Sequence, residues 1–129
     1  MKRTFIIFDI DGTLLYSNKI DSQCFADTYF KRYQTVFPTI DWTKFPHVTD
    51  DTIFKTSIRN HFQKEATQEE MEEFKNDFVA LLTEKRIAQP TDFKEIPFSK
   101  ITIDKLMADE NFEVGIGTGG WLKPAKLKL

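Results

Sequence analysis

The chain has a single cysteine, Cys24, among its 129 residues, so it cannot form a disulfide within itself. A lone thiol fits a reducing compartment, and the cytoplasm is the expected location. Nowhere is there a run of about 20 apolar residues, the length a membrane-crossing helix needs. The opening stretch Met1–Phe8 has a basic start and then four apolar residues, but Asp9 and Asp11 cut it short of a signal-peptide core. Neither sign of charge is in excess, since 18 Lys and Arg face 20 Asp and Glu for a net charge of −2. That leaves no electrostatic reason to expect nucleic acid or an anionic membrane as a partner. With 40% apolar and 29% charged residues, the composition also excludes collagen-like, low-complexity and highly charged disordered chains.

Glycine is scarce too. There are five, and they fall in two short segments: Gly12, then Gly115, Gly117, Gly119 and Gly120. Glycine permits close backbone approach and unusual dihedrals, so this placement marks two special loops. Phenylalanine is the opposite case. There are 13, and ten of them lie between Phe25 and Phe98. Aromatic side chains dominate core burial, so that stretch reads as a packed helical core.

Thr4–Phe8 (TFIIF) is β-branched and aromatic with no polar gap, the pattern of a buried parallel strand. It runs into Asp9-Ile10-Asp11-Gly12-Thr13, a loop rich in turn formers. A first helix is expected from about Asp21 or Ser22, with Phe25, Tyr29, Tyr33 and Phe37 at helical spacing and Pro38 as its stop. A second begins at Thr49 or Asp50, with Ile53, Phe54, Ile58 and Phe62 on one face. A third is the best signalled. Thr67-Gln68-Glu69-Glu70 has capping-box spacing, and Met71, Phe74, Phe78, Leu81 and Leu82 form the stripe. Glutamates crowd its start and Lys85 and Arg86 its end, as the helix dipole favours. A further helix over Ser99–Ala108 leads to a second strand, Phe112–Gly117. Thr118-Gly119-Gly120 follows, and Pro124 stands in the first turn of a closing helix. The lysines of that helix, Lys123, Lys126 and Lys128, read as a basic, solvated face. The fold class is α/β, a strand and a later strand separated by a long helical insert.

In open α/β sheets, ligands bind beyond the carboxyl ends of the parallel strands. Both glycine-marked loops sit at such ends, and their residues suit phosphoryl transfer. Asp9 can act as a nucleophile that forms an aspartyl-phosphate. Asp11 can protonate the leaving alkoxide and then deprotonate the water that opens the intermediate. Two carboxylates facing a phosphate repel it, so a divalent cation is expected, and hard oxygen ligands favour Mg²⁺. The Thr118 hydroxyl and the Gly119 amide can donate to phosphoryl oxygens. An Asp-X-Asp-Gly loop alone is often a simple turn; the apolar strand before it and Thr13-Leu14-Leu15 after it strengthen the functional reading.

Ile6-Ile7-Phe8-Asp9-Ile10-Asp11-Gly12-Thr13-Leu14-Leu15 resembles the first motif of the haloacid dehalogenase-like (HAD) hydrolases. Gly115-Ile116-Gly117-Thr118-Gly119-Gly120 resembles their second. The order and separation fit the phosphoglycolate phosphatase and β-phosphoglucomutase-like subgroup, which inserts a helical cap between the two motifs. The resemblance implies a Rossmannoid parallel-sheet core, incomplete here, from residues 1–15 and 99–129, with the cap at 16–98. It implies Asp9 as nucleophile and metal ligand, Asp11 as acid/base with its backbone carbonyl on Mg²⁺, and Thr118 with Gly119 as the phosphate-binding pair. Asp11 favours phosphate esters, because the dehalogenases lack an aspartate there. His47 falls where the subgroup often places a substrate-facing cap loop. Asn18 and Lys19 lie near the expected hinge.

The family's core continues through a lysine motif and an acidic motif, whereas this chain stops nine residues after Gly120. The resemblance therefore implies the N-terminal part of a longer enzyme, with little activity alone. Two strands with open edges would self-associate or pair with a missing C-terminal half. The expected function is a Mg²⁺-dependent phosphatase acting on a small phosphorylated metabolite. The alternatives are a non-catalytic binding or interaction module, and a sugar phosphomutase.

Overall fold

The computed structural model describes residues 2–129; Met1, the first residue of the expected core segment, lies outside them. Strand β1 (Thr4–Phe8) leads into α1 (Asn18–Tyr33), α2 (Asp50–Phe62) and α3 (Gln68–Ala88). After these come α4 (Ser99–Ala108), β2 (Phe112–Ile116) and α5 (Leu122–Lys128). The strands pair in parallel, from Thr4 opposite Phe112 to Phe8 opposite Ile116. This α/β order, with helices placed between two parallel strands, is the expected one.

The helical insert holds the main core. Phe25, Tyr29, Phe54, Phe74 and Phe78 are essentially inaccessible, and Ile58 and Leu82 fill in around them. Their rings meet at tilted and edge-on angles, with Phe54 and Phe74 centred 4.7 Å apart and Phe25 and Phe74 5.0 Å apart. Those are the geometries that aromatic quadrupoles prefer. The α3 capping box is present. Thr67 Oγ1 accepts from the Glu70 amide at 3.1 Å, and the Glu70 carboxylate accepts from the Thr67 amide at 2.9 Å. Thr49 caps α2 by accepting from the Thr52 amide at 3.2 Å.

Helix α1 departs from expectation at both ends. It starts at Asn18, with Ser17 before it, so Asp21 lies in the first turn instead of capping it. It ends at Tyr33, where Gln34 turns left-handed at φ 52° and donates its amide to the Phe30 carbonyl. Pro38 is therefore not the stop. Phe37 still reaches the core from the following loop, its ring 5.1 Å from that of Tyr29.

The chain leaves and re-enters the sheet side along two adjacent segments. The Tyr16 amide donates to the Lys94 carbonyl at 2.8 Å, and the Ile96 amide to Leu14 at 2.9 Å. The sheet is much less covered than the insert. Phe5 and Ile7 of β1 are 60% and 61% exposed, whereas the apolar run reads as a buried strand. The reason is local: α4 lies against β2, and no described element covers the Phe5 and Ile7 face.

Candidate active site

Both chemistry-bearing loops leave the same edge of the sheet. Phe8 and Ile116 are register partners, and the Gly117 amide donates to the Phe8 carbonyl at 2.8 Å. Asp9 and Thr118 thus emerge from neighbouring strand ends, the place where open α/β sheets bind ligands. The loop after β1 folds back at once. The Ile10 carbonyl accepts from the amides of Thr13, Leu14 and Leu15 at 3.1, 2.9 and 3.2 Å. Gly12 makes that turn possible at φ +80°, a conformation that side chains disfavour. Ile10 is buried as its anchor.

Asp9, Asp11, Thr118, Gly119 and Gly120 line one cleft of about 430 Å³ from the sheet side. Asn18, Ile40, Trp42, Val48 and Asp50 line it from the insert side. The volume is in the range of sites for small molecules. His47 is exposed and does not line the cleft, although its neighbour Val48 does. Lys19 lines it as well.

Each expected site residue has a distinct environment. Asp9 is exposed, and no described side chain hydrogen-bonds to its carboxylate. Thr118 Oγ1 accepts from the Gly120 amide at 3.0 Å, which leaves its own proton free to donate. Among the described residues the Gly119 amide has no protein acceptor. A Cβ on Gly119 would collide with the Val48 carbonyl, so only glycine lets the loop approach the insert this closely. Asp11 is held on two sides. Ser17 Oγ donates to its Oδ1 at 2.6 Å, and Lys128 Nζ donates to both of its oxygens at 2.8 Å.

Lys128 is the residue the sequence reading misplaces. It was expected on a solvated face, but its side chain is 2% exposed and lies between Asp11 and Asp21, with Asp21 Oδ1 at 2.7 Å. The available signal was spacing. Lys128 falls four residues after Pro124 and three after Ala125, the other two buried positions of α5. Burial alone would lower its ammonium pKa, but the Asp21 and Asp11 carboxylates outweigh this and raise it. Burial also pushes the Asp21 carboxyl up, against the pull of Lys128.

Asp50 and Trp121 were not foreseen either. The Asp50 amide donates to the Gly119 carbonyl at 2.9 Å, and its carboxylate accepts from the Trp121 amide at 3.0 Å. Burial pushes the Asp50 carboxyl up to about 7, and the nearby Asp21 charge adds to the shift. The Trp121 indole packs into the insert's aromatic core, 6.0 Å from the rings of both Phe25 and Phe74. The start of α2 and the Thr118–Trp121 loop are thereby stitched together.

Among the described residues, no group of three or more His, Cys, Asp or Glu side chains gathers to hold a metal. The donors that remain free are hard oxygens: the Asp9 carboxylate and the Asp11 backbone carbonyl, the Asp11 carboxylate being engaged by Lys128 and Ser17. Mg²⁺ commonly takes one or two carboxylates, substrate phosphate oxygens and several waters, and this small donor set fits that habit.

Residues 6–128 match the haloacid dehalogenase-like hydrolase family. The chain belongs to that family. A crystal structure described as a predicted phosphoglycolate phosphatase from Haemophilus somnus 129PT is similar in fold, with a TM-score of 0.58 at 18% identity. The match covers 95% of this chain and 53% of that one, so this HAD-like chain spans about half the length of the solved structure it matches. Comparison with curated proteins gives no match. Among the described residues, no helix is long and apolar enough to cross a membrane.

Proposed function

We propose that this HAD-like chain carries the nucleophile half of a Mg²⁺-dependent phosphatase for small phosphorylated metabolites. The observation that carries the reading is the convergence of Asp9, Asp11, Thr118 and Gly119 on one cleft at the shared carboxyl edge of β1 and β2. An Asp9 oxygen attacks phosphorus and the bond to the leaving oxygen breaks. Asp11, a carboxylate held by Lys128 and Ser17 in this structure, has to take up a proton from solvent before it gives one to that leaving oxygen. Asp11, now a carboxylate, takes a proton from a water whose oxygen attacks phosphorus, and the Asp9–phosphorus bond breaks to release inorganic phosphate. The Thr118 hydroxyl and the Gly119 amide donate to the phosphoryl oxygens throughout. When bound at the Asp9 carboxylate and the Asp11 carbonyl, Mg²⁺ supplies neutralising charge between carboxylate and phosphate.

The cleft size and its apolar insert wall of Ile40, Trp42 and Val48 suit a small organic phosphate. Segments 1–15 and 99–129 form the core and 16–98 the cap in this reading, and the active enzyme draws its remaining core elements from further polypeptide. The test is hydrolysis of an aryl phosphate by the complete enzyme, with and without Mg²⁺, beside Asp9→Asn. Mg²⁺-dependent turnover lost in the variant is the expected result. Turnover that Asp9→Asn leaves unchanged would sink the mechanism.

A further inference from the structure

The cap and first turn of α1 grip Asp11 from two directions. Ser17 and Asp21 are four residues apart, and the Asp21 amide donates to the Ser17 carbonyl at 2.9 Å, so they share one face of the helix. Ser17 donates its hydroxyl directly to Asp11 Oδ1 at 2.6 Å. Asp21 reaches the same carboxylate indirectly, through the ammonium of Lys128, which lies 2.7 Å from Asp21 and 2.8 Å from each Asp11 oxygen. Ser17 is fully buried and Lys128 nearly so.

We propose that Asp21 is a positioning residue for the reaction, holding Lys128 against Asp11 so that the insert's first helix sets the orientation of the acid/base carboxylate. A lysine has four rotatable bonds and about 2 kcal/mol of rotamer entropy, so a single partner fixes it poorly. Lys128 also projects from the last turn of α5, a helix of seven residues. Asp21 supplies the second anchor from a different element, and that anchor belongs to α1, the helix by which the insert leaves the sheet. Ser17 and Asp21 together make the position of α1 a condition for the alignment of Asp11.

The inference rests on reading Asp11 as the acid/base group, and its test keeps the two ideas apart. In the ¹⁵N-labelled chain the Lys128 Nζ–H resonance, assigned by its loss in Lys128→Met, is expected to persist because the ammonium is shielded from solvent exchange. Asp21→Asn, which keeps the shape and removes the charge, should broaden it away, and Asp21→Glu should restore it at least in part. An undisturbed resonance in Asp21→Asn overturns the proposal. One measurement needs no variant at all: Lys128 should be the slowest lysine to undergo reductive methylation, and methylation as fast as at exposed Lys123 overturns the proposal even if Asp21→Asn fails to fold. With an aryl phosphate, Asp21→Asn should lower kcat about tenfold, less than loss of a general acid costs, while KM stays within about twofold. A change confined to KM overturns the positioning role. Turnover in the complete enzyme that Asp9→Asn leaves unchanged counts against the phosphatase reading, and the resonance and methylation still decide the anchor.

Discussion

The helical insert and the two-stranded sheet are built from the same kind of residue and reach opposite degrees of closure. Phe25, Phe54, Phe74 and Phe78 in the insert are shut away from water, while Phe5 and Ile7 on the sheet stand about three-fifths exposed. Amphipathic helices close a core with their immediate neighbours in sequence. A parallel strand needs layers on both faces, and those come from elements remote in sequence. The candidate site nevertheless stands on the open half. The insert makes up part of the deficit at the junction, where Trp121 is driven into the aromatic core and the first turn of α1 grips Asp11. The site residues at the sheet edge therefore borrow order from the insert.

If that comparison is right, truncation should be costly on one side only. Phe74→Ala should lose about 3–5 kcal/mol of unfolding free energy in urea, as buried phenylalanine truncations do. A loss below about 1 kcal/mol would show that the insert core is looser than its geometry. Lys128→Met probes the junction. Removing the ammonium leaves the Asp11 and Asp21 carboxylates facing each other, and the expected cost is about 2–3 kcal/mol, at or below that of fully buried pairs because both acids keep some solvent. No measurable cost would mean that the trio does not form in solution.

The sequence was most informative where local rules decide the outcome. The α3 capping box, the start of α2 at Asp50 and the bounds of α4 follow from residue types within a few positions of each other. Asp9, Asp11, Thr118 and Gly119 were legible as a group because each ends an apolar strand. What could not be read depends on tertiary placement. Lys128 sits among lysines and looks solvated until α5 is docked with its Pro124 and Ala125 face inward. Asp21 and Asp50 have no motif, and only the meeting of α1, α2 and α5 around the cleft gives them partners. Gln34 ended α1 four residues before the proline that looked like the stop.

Asp50 offers a pH-dependent version of the same contrast. Its carboxyl is raised from 3.8 to about 7 in the folded chain, so between those values the native state binds more protons than the unfolded state. Its contribution to stability is then full below about pH 4 and falls as pH rises toward 7. Asp50→Asn can still accept from the Trp121 amide and no longer buries a charge. It should stabilise the chain by about 1–2 kcal/mol at pH 8 and hardly at all at pH 4, read from thermal unfolding at the two pH values. A uniform effect at both would remove Asp50 as the cause. Further from the junction, Thr67→Ala breaks the capping box at the exposed start of α3 and should cost about 1 kcal/mol.

The smallest expected effect is on the sheet, and it is the sharpest check on the comparison. Phe5 rests its ring on Gly115 of β2 and Ile7 its methyl on Gly117 just past its end, so each meets a residue with no side chain to answer it. Phe5→Thr with Ile7→Thr keeps strand propensity and removes the apolar face. Unfolding free energy should then change by no more than about 0.5–1 kcal/mol, because little buried area is lost. Association should respond where stability does not. An uncovered apolar face beside open strand edges is a template for pairing, so the unaltered chain should sediment with a concentration-dependent mass and the double variant should not. A loss of several kcal/mol in the double variant would mean that the face is covered in solution, and the division between a closed insert and an open sheet would no longer hold.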